Sequence, residues 1–260
     1  MADYQTTTVN INRHKRIGNI IIFVEGEEPE FTIIENIFHS YLGYTITKCK
    51  RSQQTIIELQ GKDKYSKITL LNAPTSNIKS IANEIEFYDY IYKNYALALN
   101  LDTINNPVYF IFDRDAENNR QGIVEKLIRT LTNSQNSTEE QNGLLLLSYP
   151  SIESFSLSTY KKVSHKIKIK LGKDLKQLLL KENIDNQIDD VKLNNAFNEF
   201  INFLIYHSII KNENEVINKL NTLGIDIFKL QTSLYAQEKV FYCISQLIEI
   251  LLDLQIIELN

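Results

Sequence analysis

Three short apolar runs, each closed by an acidic turn, constrain this chain more than any other feature. NIIIFV at 19–24 leads into EGEE, PVYFIF at 107–112 into DRDAEN, and GLLLL at 143–147 into SYPSIE. Continuous apolar runs of this length, rich in β-branched, aromatic or leucine side chains, are the mark of strands buried on both faces. Around them, Phe31, Ile34, Ile37, Phe38 and Leu42 fall at helical spacing up to Gly43, and residues 121–131 have a helical period. YTITKC and TIIELQ predict a hairpin, SKITLLN at 66–72 a further core strand, and residues 78–99 a long amphipathic helix. Strands alternating with such helices predict an α/β fold, a mostly parallel sheet with helices on both faces.

After Pro150 the pattern changes. From residue 174 onward almost every segment is helical in period, which predicts an all-α C-terminal region. The expected organisation is a loose lead-in at 1–18, an α/β domain at 19–150, and a basic segment with an α-helical region at 151–260. The closing stretch, 234–258, is apolar on more than one face. It reads either as the core of the helical part or as a docking surface for a second copy or a partner subunit.

Composition limits the chemistry. Twenty-eight basic and thirty-two acidic side chains give a net charge of −4, so bulk charge cannot hold a polyanion. Residues 161–176, KKVSHKIKIKLGKDLK, nevertheless carry seven lysines and one aspartate. Lys161, Lys162, Lys166, Lys168 and Lys170 form a candidate nucleic-acid-binding patch; an ordinary solvated surface is the alternative. Cys49 and Cys243 stand far apart with no CxxC, which argues against a disulfide framework and a zinc site. With a polar N-terminus and no apolar run long enough for a membrane span, the expected setting is the cytoplasm, away from membranes. No GxxxxGK and no GxGxxG after a strand occur, so any ATPase must be a partner.

In parallel α/β sheets, ligands bind at the carboxyl ends of the strands. Glu25 follows the first run, Asp113 and Asp115 the second, and Glu153 the third. Residues two apart in an extended segment point to the same side, so Asp113 and Asp115 can reach one ion. Crowded carboxylates repel unless a cation joins them, and oxygen donors without His or Cys select Mg²⁺ or Mn²⁺. A DxD alone is also an ordinary turn. The Glu25-Gly26 turn directly after an apolar strand makes the coincidence harder to dismiss.

IIIFVEGEEPEF, VYFIFDRDAEN and LLLLSYPSIESF together resemble the TOPRIM domain of topoisomerases, primases and OLD-family nucleases, over roughly residues 19–155. They are similar to the stand-alone TOPRIM proteins of bacterial anti-phage defence, the RloB-like and AriB-like nucleases among them. The resemblance implies a TOPRIM-like sheet in which Glu25 is the family glutamate, Asp113 and Asp115 are the metal-binding aspartates, and Glu153 is a further acid. Many OLD-type sequences read EGxTE, whereas this chain has Glu25, Gly26, Glu27, Glu28 and Pro29, so the second acid falls to Glu27, Glu28 or Glu30. The implied activity is Mg²⁺- or Mn²⁺-dependent endonucleolytic cleavage of DNA or RNA, tRNA included, in anti-phage defence. The implied partner is an ATPase subunit, while a second copy of the chain is expected only from the apolar closing stretch. The alternative is a catalytically silent TOPRIM-like subunit that binds nucleic acid or an ATPase partner as sensor or scaffold.

Overall fold

The computed structural model describes residues 4–26, 28–51, 54–73, 91, 97–103, 105–114, 121–135 and 143–259. The chain forms two compact units. One comprises Arg16–Phe112 and Ala116–Leu145, the other Met1–Lys15, Asp113–Asp115 and Leu146–Asn260. Strand β1 (Asn10–Ile11) belongs to the second unit and β2 (Asn19–Val24) to the first.

The first unit is built on β2. Ile20, Ile21, Ile22, Phe23 and Val24 are all buried, so both faces of the strand are covered, as its unbroken apolar run predicts. Helix α1 (Glu30–Glu35) follows and continues as a π-helical turn over Asn36–Tyr41, burying Phe31, Ile33, Ile34, Ile37 and Phe38. The chain then makes the expected hairpin, β3 (Thr45–Arg51) against β4 (Gln54–Gln60), and the expected core strand β5 (Lys67–Asn72). Next come β6 (Val108–Asp113), α2 (Gln121–Thr130), β7 (Thr132–Asn133) and β8 (Gly143–Tyr149), with β7 antiparallel to the start of β8. The sheet is mixed. At its centre β2 runs parallel to β5 and to β6, while β4 and β3 extend it as an antiparallel edge. Gly143 is needed where β8 begins, because a Cβ there would lie 2.6 Å from the Phe110 ring. The helix expected over 78–99 falls outside the described residues except for Ile91 and residues 97–99.

In the second unit, helix α3 (Glu153–Tyr160) and a 3-10 turn at Ser164–Lys166 lead to β9 (Lys168–Ile169) and α4 (Gly172–Lys181). Leu157, Leu175, Leu179 and Cys243 form one buried cluster there, with Ile167, Ile169, Leu178 and Ile184 packed against it. Helix α5 (Asp190–Tyr206) is started by Asp189, whose side chain accepts from Lys192 N at 2.7 Å, an N-cap. Helix α6 (Glu215–Glu238) ends at Lys239, which sits at φ 59° and so stops the helix.

Three expectations need correction. The C-terminal region is mainly helical but not all-α: β10 (Phe241–Tyr242) pairs with β9, β11 (Ile244–Ser245) pairs with the end of β8, and β12 (Ile257–Glu258) pairs with β1. Two-residue strands are too short to leave a periodic trace in sequence. The stretch 234–258 is not one helix either, since α7 covers only Leu247–Asp253. The β-branched and aromatic VFYCI segment just after the left-handed Lys239 takes extended conformation instead. Its neighbours Leu247, Ile248, Leu251, Leu252, Leu254 and Ile257 are buried within the chain, so they are core and not a docking surface. Finally, residues 4–11 are an arm bonded at both ends rather than a loose lead-in: β1 pairs with β12, and Gln5 and Thr7 bond to α5.

Candidate active site

Each acidic turn has its own local construction. In the first unit, Glu25 comes directly after the last residue of β2, at a partly exposed bend. A Cβ on Gly26 would stand 3.1–3.2 Å from the carboxylate oxygens of Glu30 and would push that carboxylate back by a few tenths of an ångström. Among the three alternatives for a second acid, Glu28 is exposed and Glu27 lies outside the described residues. Glu30 is buried and faces the Glu25-Gly26 turn. Asn72 ends β5 as the register partner of Val24, and its Oδ1 is buried with no hydrogen-bond partner among the described residues.

In the second unit, Asp113 closes β6 and its Oδ1 accepts from Ile152 N at 2.7 Å. That amide is one of the unpaired donors at the N-terminus of α3, where negative charge is favoured. Ser154 Oγ donates to Tyr149 O at 2.6 Å and Ser154 N to Ser151 O at 3.0 Å, which tightens the YPSIES turn. Glu153, the first residue of α3, is 6% exposed. Its Oε1 is 3.1 Å from Lys176 Nζ, while Oε2 and the Oγ of Ser151 are buried without hydrogen-bond partners among the described residues. Gly172 and Lys176 lie one turn apart on α4. A Cβ on Gly172 would meet the Ser151 side chain at 3.1 Å, so the first turn of α4 lies against Ser151 and aims Lys176 at Glu153.

The structure thus joins Asp113 to the turn that carries Glu153, and it sets the Glu30 carboxylate against Gly26, the residue after Glu25. Asp115 lies outside the described residues. Among the described residues, no three His, Cys, Asp or Glu side chains cluster as metal ligands would. Sequence reasoning missed Ser151 and Gly172 and grouped Lys176 with the basic segment. A serine two residues before an acid in a strand-to-helix turn was the available signal.

The basic segment divides in two. Lys161 pairs with Glu182 at 2.7 Å, and Lys168 pairs with Glu238 at 2.8 Å beneath the Tyr242 ring. Hydrogen bonding to Glu238 raises the Lys168 ammonium above its ordinary pKa. Lys162 and Lys170 are exposed, and Lys166 lies 4.9 Å from the centre of the Tyr206 ring. No protein-family model matches the chain, and a search of curated proteins finds no significant relative.

Proposed function

We propose that this chain is a metal-dependent nuclease that hydrolyses phosphodiester bonds in DNA or RNA. One observation carries the reading. Strands β2 and β6 are parallel neighbours in the register Ile21↔Val108 to Val24↔Ile111; β2 runs straight into Glu25, and β6 ends on Asp113. In open α/β sheets the carboxyl ends of parallel strands are where ligands bind. The donor set suits Mg²⁺ or Mn²⁺: every candidate donor is oxygen, and Glu153 Oε2 and Ser151 Oγ in the second unit are buried without described partners.

In this proposal Asp113 and Asp115 hold the ion, with Glu153 as a further ligand. When bound, the ion supplies charge stabilisation at the phosphoryl group and acidifies water. On the TOPRIM resemblance, Glu25 is assigned either to the ligand set or to the proton of the attacking water or the leaving oxygen. Ile152 N holds Asp113 in place, and Lys176 holds Glu153. Lys162, Lys166 and Lys170 contact the phosphate backbone. An ATPase subunit in anti-phage defence belongs to the same proposal, on the TOPRIM resemblance.

The second reading, a silent subunit that binds nucleic acid or an ATPase partner, is favoured by the internal ion pairs of Lys161, Lys168 and Lys176. Incubating the purified chain with plasmid DNA and with total tRNA, in Mg²⁺, Mn²⁺ or EDTA, separates the two. Metal-dependent cleavage that Glu25→Ala and Asp113→Asn each abolish supports the nuclease; Asn at 113 keeps the oxygen that accepts from Ile152 N. Wild-type cleavage by either variant overturns the site. Salt-sensitive binding without cleavage selects the silent subunit.

A further inference from the structure

Asparagine within a helix weakens it, because its amide competes for the backbone. Helix α5 nevertheless carries Asn194, Asn198 and Asn202 at four-residue spacing, and the latter two are only 3% and 4% exposed. Their amides are engaged with the main chain of the N-terminal arm. Asn202 Oδ1 accepts from Gln5 N at 2.9 Å, and its Nδ2 donates to Gln5 O at 2.7 Å. Asn198 repeats the pattern with Thr7 N at 2.7 Å and Thr7 O at 2.9 Å. Asn194 Oδ1 accepts from Val9 N at 3.2 Å.

The remaining N–H of each double-bonded amide is also committed. Asn202 donates to Asn198 O and Asn198 to Asn194 O, both at 2.8 Å. These bonds within α5 fix the amides independently of the arm, so the rungs are preorganised. Spacing explains why the ladder works and where it weakens. Four helical residues rise about 6.0 Å and two extended residues about 6.6–6.8 Å. Two successive rungs therefore fit with both bonds, and the third, Asn194, keeps one longer bond.

The rungs touch only backbone atoms, and the side chains of Gln5, Thr6 and Thr8 are exposed. Side chains are read at the two ends. Tyr4 hydrogen-bonds Glu199 and stacks on the His165 ring with centroids 6.2 Å apart. Val9 is 8% exposed.

We infer that this face of α5 is a binding site for extended polypeptide main chain, selecting a segment with an aromatic residue five positions before an aliphatic one. Residues 4–9 are its resident occupant. The partner it fits is a peptide of that pattern, which a second copy of this chain carries in its own arm.

The test uses the full chain with Gln5→Pro and Thr7→Pro, which removes two arm donors and leaves α5 untouched. A fluorescent peptide of the sequence MADYQTTTVNIN is added and its anisotropy followed. It is expected to bind this variant, and adding Asn198→Ala and Asn202→Ala should weaken binding at least about tenfold, since each lost rung is worth roughly three- to tenfold. The same peptide methylated on the nitrogens of Gln5 and Thr7 should not bind. Serine in place of the exposed Thr6 should leave affinity within about twofold, as exposed side chains at an interface contribute little. Circular dichroism checks that the asparagine variants remain folded; the methylated peptide provides the test on unaltered α5 if they do not. Undiminished binding of the methylated peptide overturns the inference, as does no binding at millimolar peptide.

Discussion

The interior of the sheet unit is apolar almost throughout: Ile22, Phe23, Ile57, Leu70 and Tyr109 are inaccessible, and its buried polar residues among those described are Glu30, Ser66, Thr69 and Ser134. The other unit buries sixteen polar residues among those described, including Arg114, Glu153, His165, Asn198, Glu199, Asn202, Gln246 and Glu249. The first unit is held by volume and the second, in large part, by directed bonds. Dispersion and apolar burial tolerate substitutions that keep volume, whereas a buried hydrogen-bonded group tolerates almost none. The two interiors should therefore respond oppositely to substitutions that preserve shape.

Glu199 offers the sharpest contrast. It accepts from Val163 N, Ser164 Oγ, His165 N and His165 Nδ1 at 2.7–3.0 Å and is 1% exposed. Burial opposes its ionisation, but the bonds from His165 outweigh that and hold its pKa below the ordinary value. Glu199→Ala strands these four donors and the Tyr4 hydroxyl and should cost about 3 kcal/mol or more in urea unfolding, since each stranded buried donor costs about 1–3 kcal/mol. In the sheet unit Leu70→Met should cost less than about 1.5 kcal/mol. The comparison is broken if Glu199→Gln, which keeps the shape, costs no more than Leu70→Met.

Glu249 gives the next effect, through pH. Full burial raises its pKa to about 8, Gln246 Nε2 donates to its Oε1 at 2.7 Å, and its Oε2 has no partner among the described residues. The folded state thus keeps a proton that the unfolded chain releases above its ordinary value of 4.5. Stability from this group is full below that value and is lost as pH rises through the folded pKa. Glu249→Gln should raise the Tm at pH 8 by several degrees and change it little at pH 5. A parallel shift at both values would show that the carboxyl does not titrate as described. His207 works in the opposite sense: burial lowers its pKa to about 4, so its contribution falls as pH drops below 6.5.

The smallest expected effect is on the surface of the second unit. If the proposed nucleic-acid binding holds, Lys162→Ala, Lys166→Ala and Lys170→Ala together should reduce the slope of log affinity against log salt by about 2–3. Lys161→Ala and Lys168→Ala should reduce it less, because Glu182 and Glu238 already neutralise those charges. Equal losses from both sets would mean that the ion pairs open on binding.

The same contrast decides what could be read from sequence. NIIIFV, KITLLN and VYFIF announced β2, β5 and β6 because burial on both faces writes an unbroken apolar run. The short strands β9 to β12 had no such trace, and the arm's attachment was invisible because the asparagines that hold it look like helix-weakening polar residues. At the candidate site, the positions of Glu25 just after β2 and of Asp113 at the end of β6 were legible, whereas Glu153 opens α3 four residues past β8. The Lys176–Glu153 pair and the approach of Gly172 to Ser151 depend on tertiary packing, and sequence spacing alone carries neither.

The asparagine ladder also has a consequence in time. Its rungs join residues 197, 191 and 185 positions apart. At synthesis rates of about 5–20 residues per second, the arm waits roughly 10–40 s for α5 to be made. Through that interval its backbone donors and acceptors have water as partner, and TTT with Gln5 keeps the waiting segment polar and poorly suited to aggregation. Securing the arm is therefore a late event in the life of each newly made chain, however early its residues are synthesised.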